Sequence, residues 1–184
     1  MPMDTAVTHR MGGTFARDAL YLDFDGVLHP HPVVRSPKRG LHLPQHPGRS
    51  LFESAPLLIQ ALLPYPRLRI VLSTSWVAVL GYRRARNYLP PELAARCVGA
   101  TFHSRHHQAE RELSFRDARF APTRASQILA DVARRKPDRW LAIDDDDDGW
   151  PRSMAASLVV SNADEGLRSP MVLEELRCRL ERFR

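Results

Sequence analysis

Two aspartates one residue apart, Asp23 and Asp25, close the short apolar run Leu20-Tyr21-Leu22 and lead directly into Gly26-Val27-Leu28. Alternate residues of a strand point to one face, so an extended segment here holds both carboxylates together. Carboxylates so placed repel each other and are costly to desolvate unless a cation or a shared proton compensates. Gly26 allows a tight turn where a ligand could approach the backbone. The arrangement suits one carboxylate attacking a phosphorus centre while the other handles protons, with a divalent metal between them. Two further polar clusters also end apolar runs: Ser73-Thr74-Ser75 and the five aspartates from Asp144 to Asp148. Alone, the first reads as an ordinary helix cap and the second as an acidic loop. Five adjacent like charges nevertheless repel unless a cation or nearby arginines compensate.

The elements that must position these groups alternate along the chain. Strands are predicted over residues 20–24, 68–73, 97–101, 140–143 and 157–160. Helices are predicted over 51–63, 76–88, a short stretch from Pro90-Pro91 through Arg96, 124–135 behind a Thr123 cap, and 170–183. Residues 28–50, rich in Pro, His and Arg, read as an irregular flap, and residues 103–122 as a basic loop. Strand–helix alternation argues for a parallel sheet covered on both faces. The expected fold is α/β: a Rossmann-like three-layer αβα sandwich with a mainly parallel five-stranded sheet. Ligands of such sheets bind beyond the carboxyl ends of the strands, where all three polar clusters fall.

The length of 184 residues fits one domain, placed at 18–184, behind a leader over 1–17 that reads as disordered. That leader has no apolar signal core, and no segment approaches a membrane span. Cys97 and Cys178 offer neither a disulfide framework nor zinc spacing, which fits a reducing cytoplasm. The net charge of +6 is unevenly spread: Arg35, Lys38, Arg39 and Arg49 lie in the flap, Arg83, Arg84 and Arg86 in one helix, and Arg105, Arg111, Arg116 and Arg119 in the later loop. Such a surface attracts polyanions, though it also serves solubility. His42 and His46 have helical zinc spacing, but Pro44 and Pro47 oppose a helix there. His103, His106 and His107 lack a carboxylate-supported ligand pattern.

Taken together, these residues resemble the haloacid dehalogenase-like (HAD) superfamily of phosphohydrolases. Asp23-Phe-Asp25-Gly26-Val27 fits its first motif, Ser73 its second, Arg124 its third and Asp144-Asp145 its fourth. More narrowly, Asp-Phe-Asp-Gly-Val-Leu-His-Pro, Leu-Ser-Thr-Ser-Trp, Leu-Ala-Ile-Asp-Asp-Asp and Gly166-Leu167 resemble the HAD domains associated with Swiss Army Knife RNA repair proteins, over residues 19–184. The resemblance implies Asp23 as the nucleophile that forms an aspartyl-phosphate and Asp25 as general acid, then base. It implies Mg2+ held by Asp23, the Asp25 backbone carbonyl and Asp144, with Asp145 in support and Asp148 in reserve. Ser73 and the Thr74 amide would bind a phosphoryl oxygen, and Arg124 would offset charge on the phosphoryl group and Asp23. The superfamily usually carries Lys in that last role, so Arg124 is a departure; Lys136 lies at the wrong end of the helix. His29 is placed either against the phosphate or a base, or in plain loop packing. Trp76 and Trp150 follow strand ends where a base could stack, whereas Trp140, and Trp76 alternatively, suit the core.

Neither the flap nor the later loop has room for a folded cap, which implies an open site resembling capless members that act on macromolecular ends. The expected activity is a Mg2+-dependent phosphatase of a phosphorylated RNA or DNA end or a nucleotide, working beside nucleic-acid repair enzymes and without a membrane. Three alternatives stay open. A signalling receiver would need an Asp near Thr101 and a Lys near Val160, and the sequence has neither. A catalytically silent nucleic-acid-binding module would need only the basic surface. A phosphotransferase would pass the aspartyl-phosphate to an acceptor other than water.

Overall fold

The computed structural model describes residues 18–102 and 122–184. The expected leader over 1–17 and most of the basic loop, with His103, His106, His107 and its four arginines, lie outside the described residues.

The central strand is β1 (Ala19–Leu22), every residue of which is buried. It is flanked by β4 (Arg69–Leu72) and β6 (Trp140–Asp144), and these in turn by β5 (Cys97–Ala100) and β7 (Leu158–Val160). The sheet order is β5-β4-β1-β6-β7 and every pairing is parallel. Strand alternation divides the core. Leu20 and Leu22, with Ile70, Leu72, Leu141 and Ile143, face the larger cluster, which packs against α1 (Ala55–Leu62) and α6 (Pro170–Leu180). Ala19 and Tyr21, with Val71 and Ala142, face a smaller cluster closed by Ile128 of α5 (Arg124–Arg135). On that face the Tyr21 hydroxyl donates to Asp131 at 3.1 Å, and Asp131 also pairs with Arg134 and Arg135. The chain is therefore an αβα sandwich, as its alternating sequence predicts.

Two segments differ from the sequence-based expectation. The flap contains an antiparallel hairpin, β2 (Val34–Ser36) and β3 (Gly40–His42). Its strands are three residues each and largely solvated, so they show no apolar alternation to read. The helix expected over 76–88 is two: α2 (Ser75–Leu80) and α3 (Tyr82–Arg86), broken where Gly81 takes φ +82°. A short α4 (Pro91–Ala94) follows, as the Pro pair suggests.

The turn after β7 is keyed to the turn after β1. The Leu167 N–H donates to the Val27 carbonyl at 3.0 Å, and the Ser161 hydroxyl donates to the Gly26 carbonyl at 2.7 Å. Gly166 sits at φ +55°, and a Cβ there would run into the Val27 carbonyl. Gly166→Ala should therefore cost about 2 kcal/mol, combining a left-handed backbone penalty with displacement of this contact. The shift in the urea midpoint, at unchanged m-value, measures it.

Candidate active site

Strand register gathers the polar strand ends into one row. The Asp23 N–H donates to the Ile143 carbonyl at 3.2 Å, which sets Asp23 beside Asp144 across the β1–β6 pair. On the other side the Ser73 N–H donates to the Leu22 carbonyl at 2.8 Å, and the Thr101 N–H to the Leu72 carbonyl at 2.9 Å. Ser161 follows β7, its N–H on the Asp144 carbonyl at 2.9 Å. Thr101, Ser73, Asp23, Asp144 and Ser161 are all buried. Each of the five parallel strands thus ends in a polar residue on the same edge. Thr101 and Ser161 are not singled out from sequence, although the strand-end rule that selects the others reaches them too.

Arg124 opens α5 and reaches back over this row. Its Nη2 lies 3.7 Å from Asp23 Oδ2 and its Nε 3.3 Å from Asp144 Oδ2. It is placed there by the Thr123 cap, whose hydroxyl accepts from the Ser126 N–H at 3.2 Å. Asp23 Oδ1 accepts the Phe24 N–H at 2.7 Å. Asp145 leans over Gly26 so closely that a Cβ on Gly26 would occupy its carboxylate. That close approach, together with a φ of +66°, explains why glycine stands there. Asp23, Asp144 and Asp145 each bring a carboxylate oxygen within 4.8 Å of the others.

Two of these carboxylates, Asp23 and Asp144, share one guanidinium, mostly out of water, with Asp145 beside them. Burial raises the Asp23 carboxyl well above the ordinary carboxylate range, against the opposing pull of Arg124. Burial raises Asp144 in the same sense, reinforced by the Asp23 charge, and burial also raises Asp145, against His31. Asp144 Oδ2 is buried and, apart from its ion pair with Arg124, has no hydrogen-bond donor among the described residues. An oxygen-only donor set in which one guanidinium leaves a surplus of negative charge fits a hard divalent cation. Ser73 Oγ, in the same row, is likewise buried without a hydrogen-bond partner among the described residues.

Asp25 has a separate environment. Its Oδ1 lies 3.1 Å from His29 Nε2, and its Oδ2 accepts the Trp76 indole N–H at 3.0 Å. His29 Nδ1 accepts the Phe52 N–H at 3.3 Å, so the ring proton sits on Nε2 and points at Asp25. His29 and Trp76 are buried, packed with Phe24 and Phe52. His29 stands behind Asp25 with both ring nitrogens engaged, the loop-packing alternative; the Trp76 N–H is likewise engaged by Asp25, while its ring helps to line a cleft that opens at Asp25. The histidine at the mouth is His31, half exposed, with Nδ1 3.7 Å from Asp145. Thr74 caps α2, its hydroxyl accepting the Trp76 N–H at 3.4 Å.

The remaining candidates fall away from this centre. Asp146, Asp147 and Asp148 are exposed, and the Asp146 and Asp148 N–H groups cap Asp144 and Asp146 in turn. Trp150 stacks on Trp140 with ring centres 6.3 Å apart. His42 turns to the Gly40 carbonyl and His46 to the His31 carbonyl. Lys136 ends α5 in the left-handed conformation, a helix length from Arg124.

A family model described as the HAD domain in Swiss Army Knife RNA repair proteins matches residues 19–172, and the chain belongs to that family. Neither the curated proteins nor the solved structures contain a match. Among the described residues no helix is long and apolar enough to cross a membrane.

The crowded carboxylates give a test independent of turnover. Their folded-state pKa values lie above those of the unfolded chain, so the folded protein binds more protons. Their contribution to stability is present at pH values below the unfolded carboxylate range of about 4 and is lost as pH rises through the elevated folded values. Without divalent cation the Tm should therefore carry a component that falls from pH 4 toward neutrality and above. Magnesium should raise the Tm at neutral pH and have little effect near pH 4, and Asp144→Asn should remove most of the magnesium increment. Thermal melts across pH with and without Mg2+ read all three.

Proposed function

We propose that this HAD-family chain is a Mg2+-dependent phosphomonoesterase working through an aspartyl-phosphate, with residues 18–184 as its one catalytic domain. The observation that carries the reading is the division of two neighbouring aspartates between two environments. Asp23 lies among carboxylates and Arg124, whereas Asp25 is held by the His29 ring and the Trp76 indole N–H. Paired carboxylates set apart in this way support separate nucleophile and proton-transfer roles.

An Asp23 carboxylate oxygen attacks phosphorus and forms an acyl phosphate, while the bond to the leaving oxygen breaks. Asp25 delivers its proton to that oxygen. It then takes a proton from the water that attacks the phosphorus, releasing inorganic phosphate and restoring Asp23. His29 and Trp76 orient Asp25 for both transfers. The buried Ser73 hydroxyl, which has no hydrogen-bond partner among the described residues, donates to a phosphoryl oxygen with the Thr74 amide beside it, and Arg124 balances charge between Asp23, Asp144 and the phosphoryl group. Magnesium, held by Asp23, Asp144 and Asp145 together with the Asp25 backbone carbonyl, would neutralise the carboxylates and the phosphoryl oxygens. The family description and the basic surface support a phosphorylated RNA or DNA end as substrate, in the cytoplasm and alongside nucleic-acid repair enzymes. Transfer of the phosphoryl group to an acceptor other than water uses the same residues.

Phosphate release from p-nitrophenyl phosphate and from 3′- and 5′-phosphorylated oligonucleotides tests this reading. Release should require Mg2+, and Asp23→Asn should lower it by at least about 10³-fold. Folded protein that binds oligonucleotide yet releases no phosphate from any of them would replace the phosphatase with a silent binding module. Trp76→Phe, which keeps the packing and removes one donor to Asp25, should lower kcat about fivefold with KM unchanged, as expected for one hydrogen bond of about 1 kcal/mol.

A further inference from the structure

We infer that a groove leading from Asp25 to Tyr88 binds the nucleotide next to the reacting phosphate, so that the substrate is a single-stranded polynucleotide end rather than a free nucleotide. This rests on the phosphatase reading only for which end of the groove the reacting phosphate occupies.

The groove is two clefts joined end to end. The first, about 250 Å³, opens at Asp25, His31 and Ser75. The second, about 470 Å³, ends at Arg84, Asn87 and Tyr88. Arg35, Leu41 and Leu80 line both. One wall is the β2–β3 hairpin and the other is α2 and α3. The second cleft alone has the volume of a small-ligand site.

Its chemistry is that of a nucleotide. Arg35 and Arg84 are exposed, one on each wall, and among the described residues neither has a carboxylate partner. Asp25, already engaged by His29 and Trp76, is the sole carboxylate among the described residues lining either cleft. Unpaired guanidiniums facing each other across a cleft suit a phosphodiester. Tyr88 is 44% exposed, and its ring is backed by Phe52, nearly parallel with centres 6.0 Å apart, and by the edge of Trp76. An aromatic ring held from behind and open in front is a platform for a base. Leu41 and Leu80 add apolar wall, and Asn87 a polar edge. Neither Asp23 nor Asp25 lines this second cleft, so a ligand that fills it while its phosphate sits at Asp23 spans both clefts.

The full-length protein with Arg35→Glu and Arg84→Glu combined provides the test. Binding of a fluorescent, unphosphorylated single-stranded hexanucleotide, in RNA and DNA forms and as a duplex, is followed by anisotropy over a range of salt. The double variant should weaken single-strand binding at least tenfold, and the slope of log Kd against log salt should fall by about 1.4, the value for two lost phosphate contacts. Phosphate release from the phosphorylated hexanucleotide should drop by a similar factor through KM. Arg84→Glu alone, at a residue that lines only the second cleft, should raise KM for the hexanucleotide while release from p-nitrophenyl phosphate stays at the wild-type rate. Unchanged single-strand binding by the double variant, an equal loss on p-nitrophenyl phosphate in Arg84→Glu, or tighter binding of the duplex would overturn the groove. Variant-sensitive binding without phosphate release from any substrate would keep the groove and discard the phosphatase reading.

Discussion

The whole molecule answers to an electrostatic imbalance: buried carboxylates at the carboxyl edge of a parallel sheet share a single guanidinium. Backbone pairing leaves no choice about it. Once β1 and β6 align Leu22 with Ile143, Asp23 and Asp144 become neighbours, and only a charge arriving from outside the sheet can relieve them. Arg124 supplies part of that relief from the first turn of α5, touching one carboxylate with Nη2 and the other with Nε. A guanidinium can do this because its donors are spread over a rigid plane; an ammonium concentrates its charge at one point. An arginine at this place thus has a local geometric reason.

Opposing demands meet at this edge. Burial of uncompensated charge works against folding, and it is offset by the apolar faces of β1, β4 and β6 and by the keyed turns after β1 and β7. Ser161 and Gly166 brace the Gly26–Val27 backbone from behind, which fixes the direction in which Asp23 and Asp25 leave the strand. A few kcal/mol of strain at a functional edge is tolerable only where surrounding packing overdetermines the backbone. Here that packing comes from both sides of the central strand.

Much of this was legible in the sequence because it follows from short-range pattern. Apolar runs marked the five strands, and the polar residues ending them marked the edge, since a buried parallel strand has little reason to end in Asp or Ser unless a ligand waits there. Arg124 was reached only through the resemblance, since an arginine in the first turn of a helix reads on its own as a solvated side chain. The hairpin escaped because three-residue solvated strands bury nothing periodic, and the division of α2 from α3 turned on the backbone angle of Gly81. The positions of His29 and Trp76 were not readable because they depend on long-range packing: Trp76 and Asp25 are brought together across fifty-one residues of chain by the β1–β4 pairing. A histidine just after an aspartate motif looks the same in sequence whether its ring faces water or the back of a carboxylate.

The Trp76 indole also gives the protein an optical label of its own. Its N–H ends on Asp25, while the other two tryptophans, Trp140 at the start of β6 and Trp150 after its end, stack on each other. Trp76 emission therefore comes from a ring in direct contact with the Asp25 carboxylate, and a variant with phenylalanine at 140 and 150 would isolate it. Occupancy of the neighbouring cleft, and the charge carried by Asp25, become quantities to be followed by fluorescence in real time, without attaching a dye.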